Sequence, residues 1–396
     1  MSFSTPRTQR LFLVLLVVYL LLAAGYSVVM PLGEAPDEAD HYAYIAYLGQ
    51  NRSLPVGPTV TQSKHPPLYH AAAALLTTWT GLDFTFLRSN PDALPLGPDK
   101  PPNFFVHTTL EDFPWRGGAL AMHLARFFSV ALGAITLWAT YRLGRAVFPD
   151  QPAIALCAAA LLAGLPGFLF ISGAINNDNA AGASGAVALW LAAETVNRGL
   201  NWRRSAAIGL MLGLGLLSKV GTLALWPVAA LAVGGVWWLA RRQPSSTARG
   251  AAFTTAAGHL LLIYGLGLAL AAPWLLRNWR LYGDPFGWAL VRATVDQRAG
   301  PVNLDVALWL LRGFHWTFWG RFGGAGQVTL PNWLFMALAA LSVVAFVGAV
   351  YHLRSLWRTA PGGFAPRQAL QLLLLTAAPL LMFISILQYS GIALGT

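Results

Sequence analysis

Repeated apolar stretches of about 20 residues constrain this chain more than any other feature, because a helix of that length crosses the hydrocarbon core of a bilayer. The composition agrees, since 56% of the 396 residues are hydrophobic and only 10% are charged. Nine spans are predicted, at residues 11–30, 119–141, 153–172, 180–196, 205–218, 220–240, 251–273, 333–352 and 369–388. The sequence therefore predicts an all-α, polytopic integral membrane protein with a single transmembrane domain over residues 1–396.

The net charge of +11 is distributed unevenly along the chain. If the N-terminus is cytoplasmic, the inner segments hold 13 of the 26 Lys and Arg residues but only two of the 15 acids, Asp150 and Glu194. This is the positive-inside pattern of a multi-pass protein of the cell membrane, and it accounts for the surplus charge without a nucleic-acid surface. We therefore expect membrane lipids, and not nucleic acid, as partners.

Two features near the start of the chain limit the alternatives. The first apolar run has a second interpretation as a signal peptide, because Arg7 and Arg10 precede it and small residues follow, but its length fits a full span better. The single cysteine, Cys157, excludes an intrachain disulfide and a multi-cysteine metal site.

Two long segments are predicted to face outward, residues 31–118 and residues 274–332, and they hold almost all of the acids. We expect interfacial helices in them, and a surface loop at the proline-rich residues 91–102. The outward segments are therefore the place to look for chemistry.

Four acids fall within seven residues at the start of the first outer segment: Glu34, Asp37, Glu38 and Asp40. In a helix over residues 37–47, Asp37, Asp40, His41 and Tyr44 share one face. This pattern has two interpretations, an amphipathic helix lying on the membrane surface or a site with a general base.

The same stretch resembles a known family. Pro36-Asp37-Glu38, followed by His41 and aromatic residues, is similar to the Asp-Glu element in the first extracytoplasmic loop of GT-C glycosyltransferases, above all the bacterial relatives of protein O-mannosyltransferases and aminoarabinose transferases. Further family-like elements follow in the same order: Lys64-His65-Pro66-Pro67-Leu68-Tyr69, Asn176-Asn177-Asp178, Leu216-Leu217-Ser218-Lys219, Arg277-Asn278 and Leu281-Tyr282-Gly283-Asp284-Pro285. Relatives commonly continue into further spans, so the chain is either a minimal member or cut short.

The resemblance implies a GT-C-like helical bundle that transfers a sugar from a polyprenyl-phosphate carrier to an acceptor outside the cytoplasm. It implies that Asp37 is the catalytic base, with Glu38 in reserve, and the mechanism type suggests inversion at the sugar carbon. The candidate groups for the donor phosphate are Lys219, Arg277, Lys64, His65 and Arg321. The candidate substrate contacts are His41, Tyr44, Tyr69, Asp178, Asn278 and Trp319.

Lys219 also stands out without the resemblance, because a lysine near the end of an apolar span is usually functional or snorkelling. Aromatic belts offer a simpler explanation for Trp319 and Arg321. No cofactor is required by the sequence, although a divalent metal stays open because Asp37 and His41 are four residues apart and His65 and His70 follow. The rival functions are a polytopic transporter or glycolipid flippase, and a non-catalytic assembly subunit.

Overall fold

The computed structural model describes residues 6–93, 103–241, 246–298, 300–301, 303–359 and 365–390. Within these ranges the α-helices are α1 (Pro6–Val29), α2 (Glu38–Asn51), α3 (Leu68–Thr77), α4 (Gly117–Val147), α5 (Pro152–Gly164), α6 (Pro166–Ser172), α7 (Asp178–Arg198), α8 (Trp202–Leu216), α9 (Trp226–Ala240), α10 (Ser246–Tyr282), α11 (Trp288–Thr294), α12 (Leu304–Trp319), α13 (Asn332–Thr359) and α14 (Pro366–Ser390). Two small antiparallel sheets pair β1 (Arg88–Ser89) with β2 (Phe105–Val106), and β3 (Arg321–Phe322) with β4 (Val328–Thr329). The expected all-α class is confirmed; the predicted loop at residues 91–102 lies outside the described residues from residue 94 onward.

Within the described ranges, six segments are long and apolar enough to cross a membrane: Arg7–Val29, Gly117–Val147, Val220–Ala240, Phe253–Tyr282, Asn332–Ser355 and Pro366–Ser390. The pair α5 and α6 forms a seventh if it counts as one broken span. It bends by 62° where Leu165 is extended, because a residue before proline avoids the helical region. The multi-pass membrane architecture is therefore confirmed.

Helices α7 and α8 occupy two of the nine predicted spans but do not pass the same test of length and apolarity. Helix α7 carries Asp178, Glu194 and Arg198, and α8 has only 15 residues. They nevertheless pack inside the bundle, α7 against α4 and α8 against α10. The α8–α10 contact is close because Gly209 has no side chain: a Cβ there would lie 2.6 Å from the carbonyl oxygen of Ile263.

The two segments that are predicted to face outward, residues 31–118 and 274–332, are more helical than the sequence predicts. Helix α10 continues through Pro273 to Tyr282, so Arg277 and Asn278 lie on its last turns and not in a loop after it. The expected helix over residues 37–47 is α2, which begins one residue later, with Asp37 as its N-cap. The remaining outward residues include α3, α11 and α12.

Candidate active site

The first outer segment leaves the membrane through a tight turn that positions Asp37. Helix α1 ends at Val29, and Gly33 follows with a φ of +85°, a conformation in which a side chain would be strained. Asp37 itself has a φ of 56°, in the left-handed region that non-glycine residues rarely adopt, and its side chain is exposed. Such backbone strain costs on the order of 1–3 kcal/mol and is frequent at functional sites.

The neighbouring Glu38 is fully buried and holds the turn in place. Arg126 of α4 donates to both carboxylate oxygens, at 2.7 Å from Nε and 2.6 Å from Nη2. The backbone N–H groups of Gly33 and Ile175 donate to the same carboxylate. The remaining Arg126 protons reach carbonyls at the end of α1. With every oxygen of Glu38 engaged, the geometry favours a structural role for it over the reserve role as base.

Glu34 fixes the far end of the same segment. Its carboxylate accepts the backbone N–H groups of Phe104 and Phe105 at 3.0 and 2.9 Å, and it contacts Nε2 of His107 at 3.1 Å. His107 in turn contacts Glu111 at 3.0 Å. These hydrogen bonds connect residues 104–107 to the turn that carries Asp37.

Lys219 lies at the break between α8 and the segment leading into α9, and it forms an ion pair with Asp178 at the start of α7. Two hydrogen bonds hold the break: the N–H of Leu68 donates to the carbonyl of Leu217 at 3.0 Å, and Nδ2 of Asn177 donates to the carbonyl of Ser218 at 2.7 Å. The Lys219 and Asp178 side chains are 40% and 43% exposed, so the ion pair is accessible to a ligand.

The structure brings Asp37 and Lys219 into one electrostatic cluster with Lys64 and Asp40, because each interacts with at least one other member. Burial raises the pKa of Asp40, and the Asp37 charge adds to the effect while Lys64 opposes it. Burial lowers the pKa of Lys64, and Asp37 and Asp40 oppose that shift. Both signs of charge are thus gathered at one end of the bundle.

Three histidines, His41, His65 and His70, lie next to this cluster. The ring of His41 lies 5.1 Å from that of His70 and 6.1 Å from that of His65, and Nδ1 of His41 is 2.8 Å from Nε2 of His70. Burial is the main cause that holds the pKa of all three well below the usual range. The stack is therefore neutral at pH 7 and can offer hydrogen bonds but not positive charge.

Several other predicted site residues are engaged in packing and hydrogen bonds within the protein. Tyr44 is buried and packs against His70 with the rings tilted by 32° and their centroids 4.4 Å apart. The Tyr69 hydroxyl bonds Ser129 at 2.7 Å and accepts the N–H of Asn176 at 3.1 Å. Arg277 donates to the carbonyls of Leu54 and Pro55, and Asn278 donates to that of Pro285. These contacts favour positioning roles for them.

Arg321 and Trp319 lie in the second outer segment. Arg321 spends its donors on the carbonyls of Gly326 and Ala325, which close the β3–β4 hairpin. Trp319 packs edge to face against Phe318 at 5.0 Å. The contacts of the described residues do not bring either side chain to the Asp37 cluster.

The metal hypothesis finds no support in the ligand geometry. Among the residues that the structure describes, no three His, Cys, Asp or Glu side chains come together as a metal site. His41 of the predicted i, i+4 pair turns Nδ1 toward His70. We therefore build no step of a reaction on a metal ion.

The most important residue that sequence reasoning missed is Arg126. Its signal is present in the sequence, because it falls inside an apolar span, where an ionisable group usually has a partner or a function. Its pairing with Glu38, 88 positions away, has no local signature.

Comparisons with known proteins support the fold of the chain. The sequence model of the family described as dolichyl-phosphate-mannose-protein mannosyltransferase matches residues 119–276. The structure of the Saccharomyces cerevisiae protein O-mannosyltransferase Pmt1-Pmt2 complex bound to the sugar donor matches with a TM-score of 0.51 and 20% identity, over 77% of this chain and 35% of that chain. The chain has the GT-C fold.

Structures of the Archaeoglobus fulgidus oligosaccharyltransferase also match this chain, with 16% identity and a TM-score of 0.42. The match covers 95% of this chain and 50% of that chain for the apo form, and 97% and 56% for the complex with an inhibitory peptide and a dolichol-phosphate. The chain thus spans between about a third and somewhat over half of the structures it matches. No curated protein sequence matches it significantly.

Proposed function

We propose that this GT-C protein is a glycosyltransferase that moves a sugar from a polyprenyl-phosphate carrier to an extracytoplasmic acceptor, with inversion at the sugar carbon. The observation that carries the proposal is the electrostatic interaction of exposed Asp37 with Lys64 and with Lys219, whose ion pair with Asp178 is accessible. The match to a mannosyltransferase family over residues 119–276 supports it, as does the related structure described as bound to the sugar donor.

The reaction needs a base and a cation on opposite sides of the sugar carbon. As the bond from C1 to the phosphate oxygen breaks, its electron pair goes to the phosphate, and positive charge develops on the sugar. Lys219 and Lys64 are placed to stabilise the leaving phosphate. The acceptor oxygen or nitrogen forms the new bond to C1 from the other side, and its proton passes to the Asp37 carboxylate.

The remaining residues receive supporting roles in this proposal. Asp178 orients Lys219 through the ion pair, and neutral His65 can donate a hydrogen bond to a phosphate oxygen without adding charge. Arg277 holds the backbone of residues 54 and 55 of the first outer segment in place. Asp37 is exposed, and its carboxylate takes no part in the buried Glu38–Arg126 pair.

The first test is turnover of a defined donor. The full chain in lipid vesicles is incubated with synthetic polyprenyl-phosphate-mannose and with a cell-envelope extract that supplies acceptors, and release of polyprenyl phosphate is followed by mass spectrometry. Loss of a general base typically costs 10²–10⁴-fold in rate, so we expect Asp37→Asn to fall by about that factor. Asp112→Asn is the matched control, since Asp112 is an exposed acid of the same outer segment.

Mass spectrometry of lipid that co-purifies with the protein tests the donor class when the sugar is not mannose. A polyprenyl-phosphate hexose or pentose supports the proposal. Normal turnover in Asp37→Asn would show that Asp37 is not the base, and absence of any polyprenyl-phosphate sugar together with no donor turnover would refute the function.

A further inference from the structure

A polar cavity lies at the end of the bundle opposite to Asp37. It has a volume of about 260 Å³, and its lining includes Gln9 of α1, Tyr141, Arg142 and Arg145 of α4, and Glu194 and Arg198 of α7. These residues come from the start of α1 and the ends of α4 and α7, whereas Asp37 and Asp178 lie at the opposite ends of α1 and α7. The cavity is therefore separate from the candidate active site.

Positive charge dominates this cavity. Arg198 forms an ion pair with Glu194, so that acid is already matched. Arg142 and Arg145 have no carboxylate partner within the part of the chain that the structure describes. Two unmatched guanidinium groups in one cavity attract an anion, and their planar donors suit phosphate oxygens.

Two hydrogen-bond donors of the cavity residues also lack an acceptor among the described residues. Nε of Arg145 and the hydroxyl of Tyr141 are both buried and have no hydrogen-bond partner among the described residues. Tyr141 is 94% buried and is held by stacking on Phe12, with the ring centroids 4.3 Å apart. Buried donors of this kind usually have a partner, so their state points to a bound group that accepts hydrogen bonds.

Aromatic residues place the cavity at the level of the lipid headgroups. The guanidinium of Arg142 lies 5.0 Å from the ring of Trp190 and 5.9 Å from that of Trp138, and these two rings pack edge to face at 4.8 Å. Tryptophan is enriched at the membrane–water interface, where a basic pocket between helices can reach lipid phosphates.

We propose that this cavity is a binding site for a phosphate group, presented by an anionic lipid headgroup or by a soluble phosphate. Arg142 and Arg145 donate to the phosphate oxygens, and the Tyr141 hydroxyl adds a third donor. The site is independent of the sugar transfer proposed above, because none of its residues contacts the Asp37 cluster.

The test measures binding of dioleoyl phosphatidylglycerol to the full chain in detergent by native mass spectrometry, with dioleoyl phosphatidylcholine as the zwitterionic comparison. Hydrogen bonds to charged groups are strong enough that we expect Arg142→Gln/Arg145→Gln to raise the Kd for phosphatidylglycerol about tenfold or more. Arg7→Gln/Arg203→Gln is the matched control: both arginines are exposed and do not line the cavity, and this variant should stay within about twofold of the wild type.

Tyr141→Phe keeps the stacking on Phe12 and removes only the hydroxyl, so a several-fold weaker Kd with an unchanged thermal midpoint supports the site even if the double variant folds poorly. Displacement of the lipid by inorganic phosphate identifies a soluble ligand, and persistence of the lipid identifies a headgroup; either supports a phosphate site. Equal weakening in the two double variants would overturn it, and so would equal binding of the two lipids by the wild type together with no effect of inorganic phosphate.

Discussion

Asp37 and Glu38 are adjacent acids with opposite environments. Glu38 is fully buried and receives donors from Arg126 and two backbone N–H groups, whereas the Asp37 carboxylate is exposed above it. A buried carboxylate that is saturated with donors has no lone pair free to take a proton from a substrate. Glu38 therefore fixes the turn, whereas the Asp37 carboxylate is left exposed, as its proposed role as the base requires.

This difference predicts that two similar substitutions, Glu38→Gln and Asp37→Asn, change the thermal stability to different extents. Glu38→Gln leaves the buried Arg126 charge without its counterion, which costs about 3–5 kcal/mol in other buried pairs. We expect its thermal midpoint in detergent, followed by tryptophan fluorescence, to fall by several degrees, while Asp37→Asn stays near the wild type. Adding Arg126→Met to Glu38→Gln should recover part of the loss, because the unpaired charge is removed. An unchanged midpoint for Glu38→Gln would contradict a structural ion pair.

The histidine stack predicts loss of stability in acid. The folded-state pKa of His41 and of His70 lies below the usual value near 6.5, so the unfolded chain binds more protons below that pH. Their contribution is complete above pH 6.5 and is lost as the pH falls, by up to about 1.4 kcal/mol per pH unit for each histidine. Thermal midpoints measured between pH 7.5 and 5 should fall with a smaller slope in His70→Gln. Equal slopes for His70→Gln and for the control His352→Gln, which removes an exposed histidine, would exclude the stack as the cause.

At the scale of elements, the break between α8 and α9 determines where Lys219 lies. The carbonyls of Leu217 and Ser218 have left the helix and are bonded by groups from the first outer segment and from the turn before α7. A lysine at the end of an unbroken helix would have no such anchors. The position of Lys219, the proposed phosphate-binding group, therefore depends on contacts between elements that are distant in sequence.

Asn177→Ala tests this dependence. It removes the donor to the Ser218 carbonyl, which costs about 1–3 kcal/mol for a buried polar group, and it frees the backbone beside Lys219. We expect KM for the lipid donor to rise several-fold with a smaller change in kcat. Asn201→Ala is the control, because it removes the N-cap of α8 at the opposite end with a stability loss of about 1 kcal/mol. If both variants change KM alike, the effect is one of global stability.

The helices of this protein can be predicted from local sequence, but the contacts between them cannot. Apolar runs of about 20 residues locate the spans, and Pro36-Asp37-Glu38 locates the start of α2, because both signals lie within one element. Asp178 and Lys219 were each singled out, but their ion pair joins residues 41 positions apart. Helix α10 ends nine residues beyond the predicted span of residues 251–273, because it continues through Pro273, and neighbouring helices can satisfy the freed backbone in a membrane protein.

At the scale of the whole molecule, the two ends of the bundle differ in charge. One end gathers Asp37, Asp40 and Asp178 with two lysines, and the other gathers arginines at the ends of α4 and α7 with those of residues 203 and 204. Basic residues are retained on the cytoplasmic side during insertion. This asymmetry supports our prediction of a cytoplasmic N-terminus and an external site.

Single-cysteine labelling in intact cells tests this orientation. Cys157 is the only cysteine, so Cys157→Ala gives a background without thiols, into which Asp112→Cys or Arg203→Cys is added at exposed positions near opposite ends. A membrane-impermeant maleimide should label the Asp112→Cys variant in intact cells and the Arg203→Cys variant only after permeabilisation. The reverse pattern would place Asp37 and Lys219 in the cytoplasm. The acceptor would then have to be cytoplasmic, and the transfer proposed here would be on the wrong side of the membrane even if the chemistry of the site were correct.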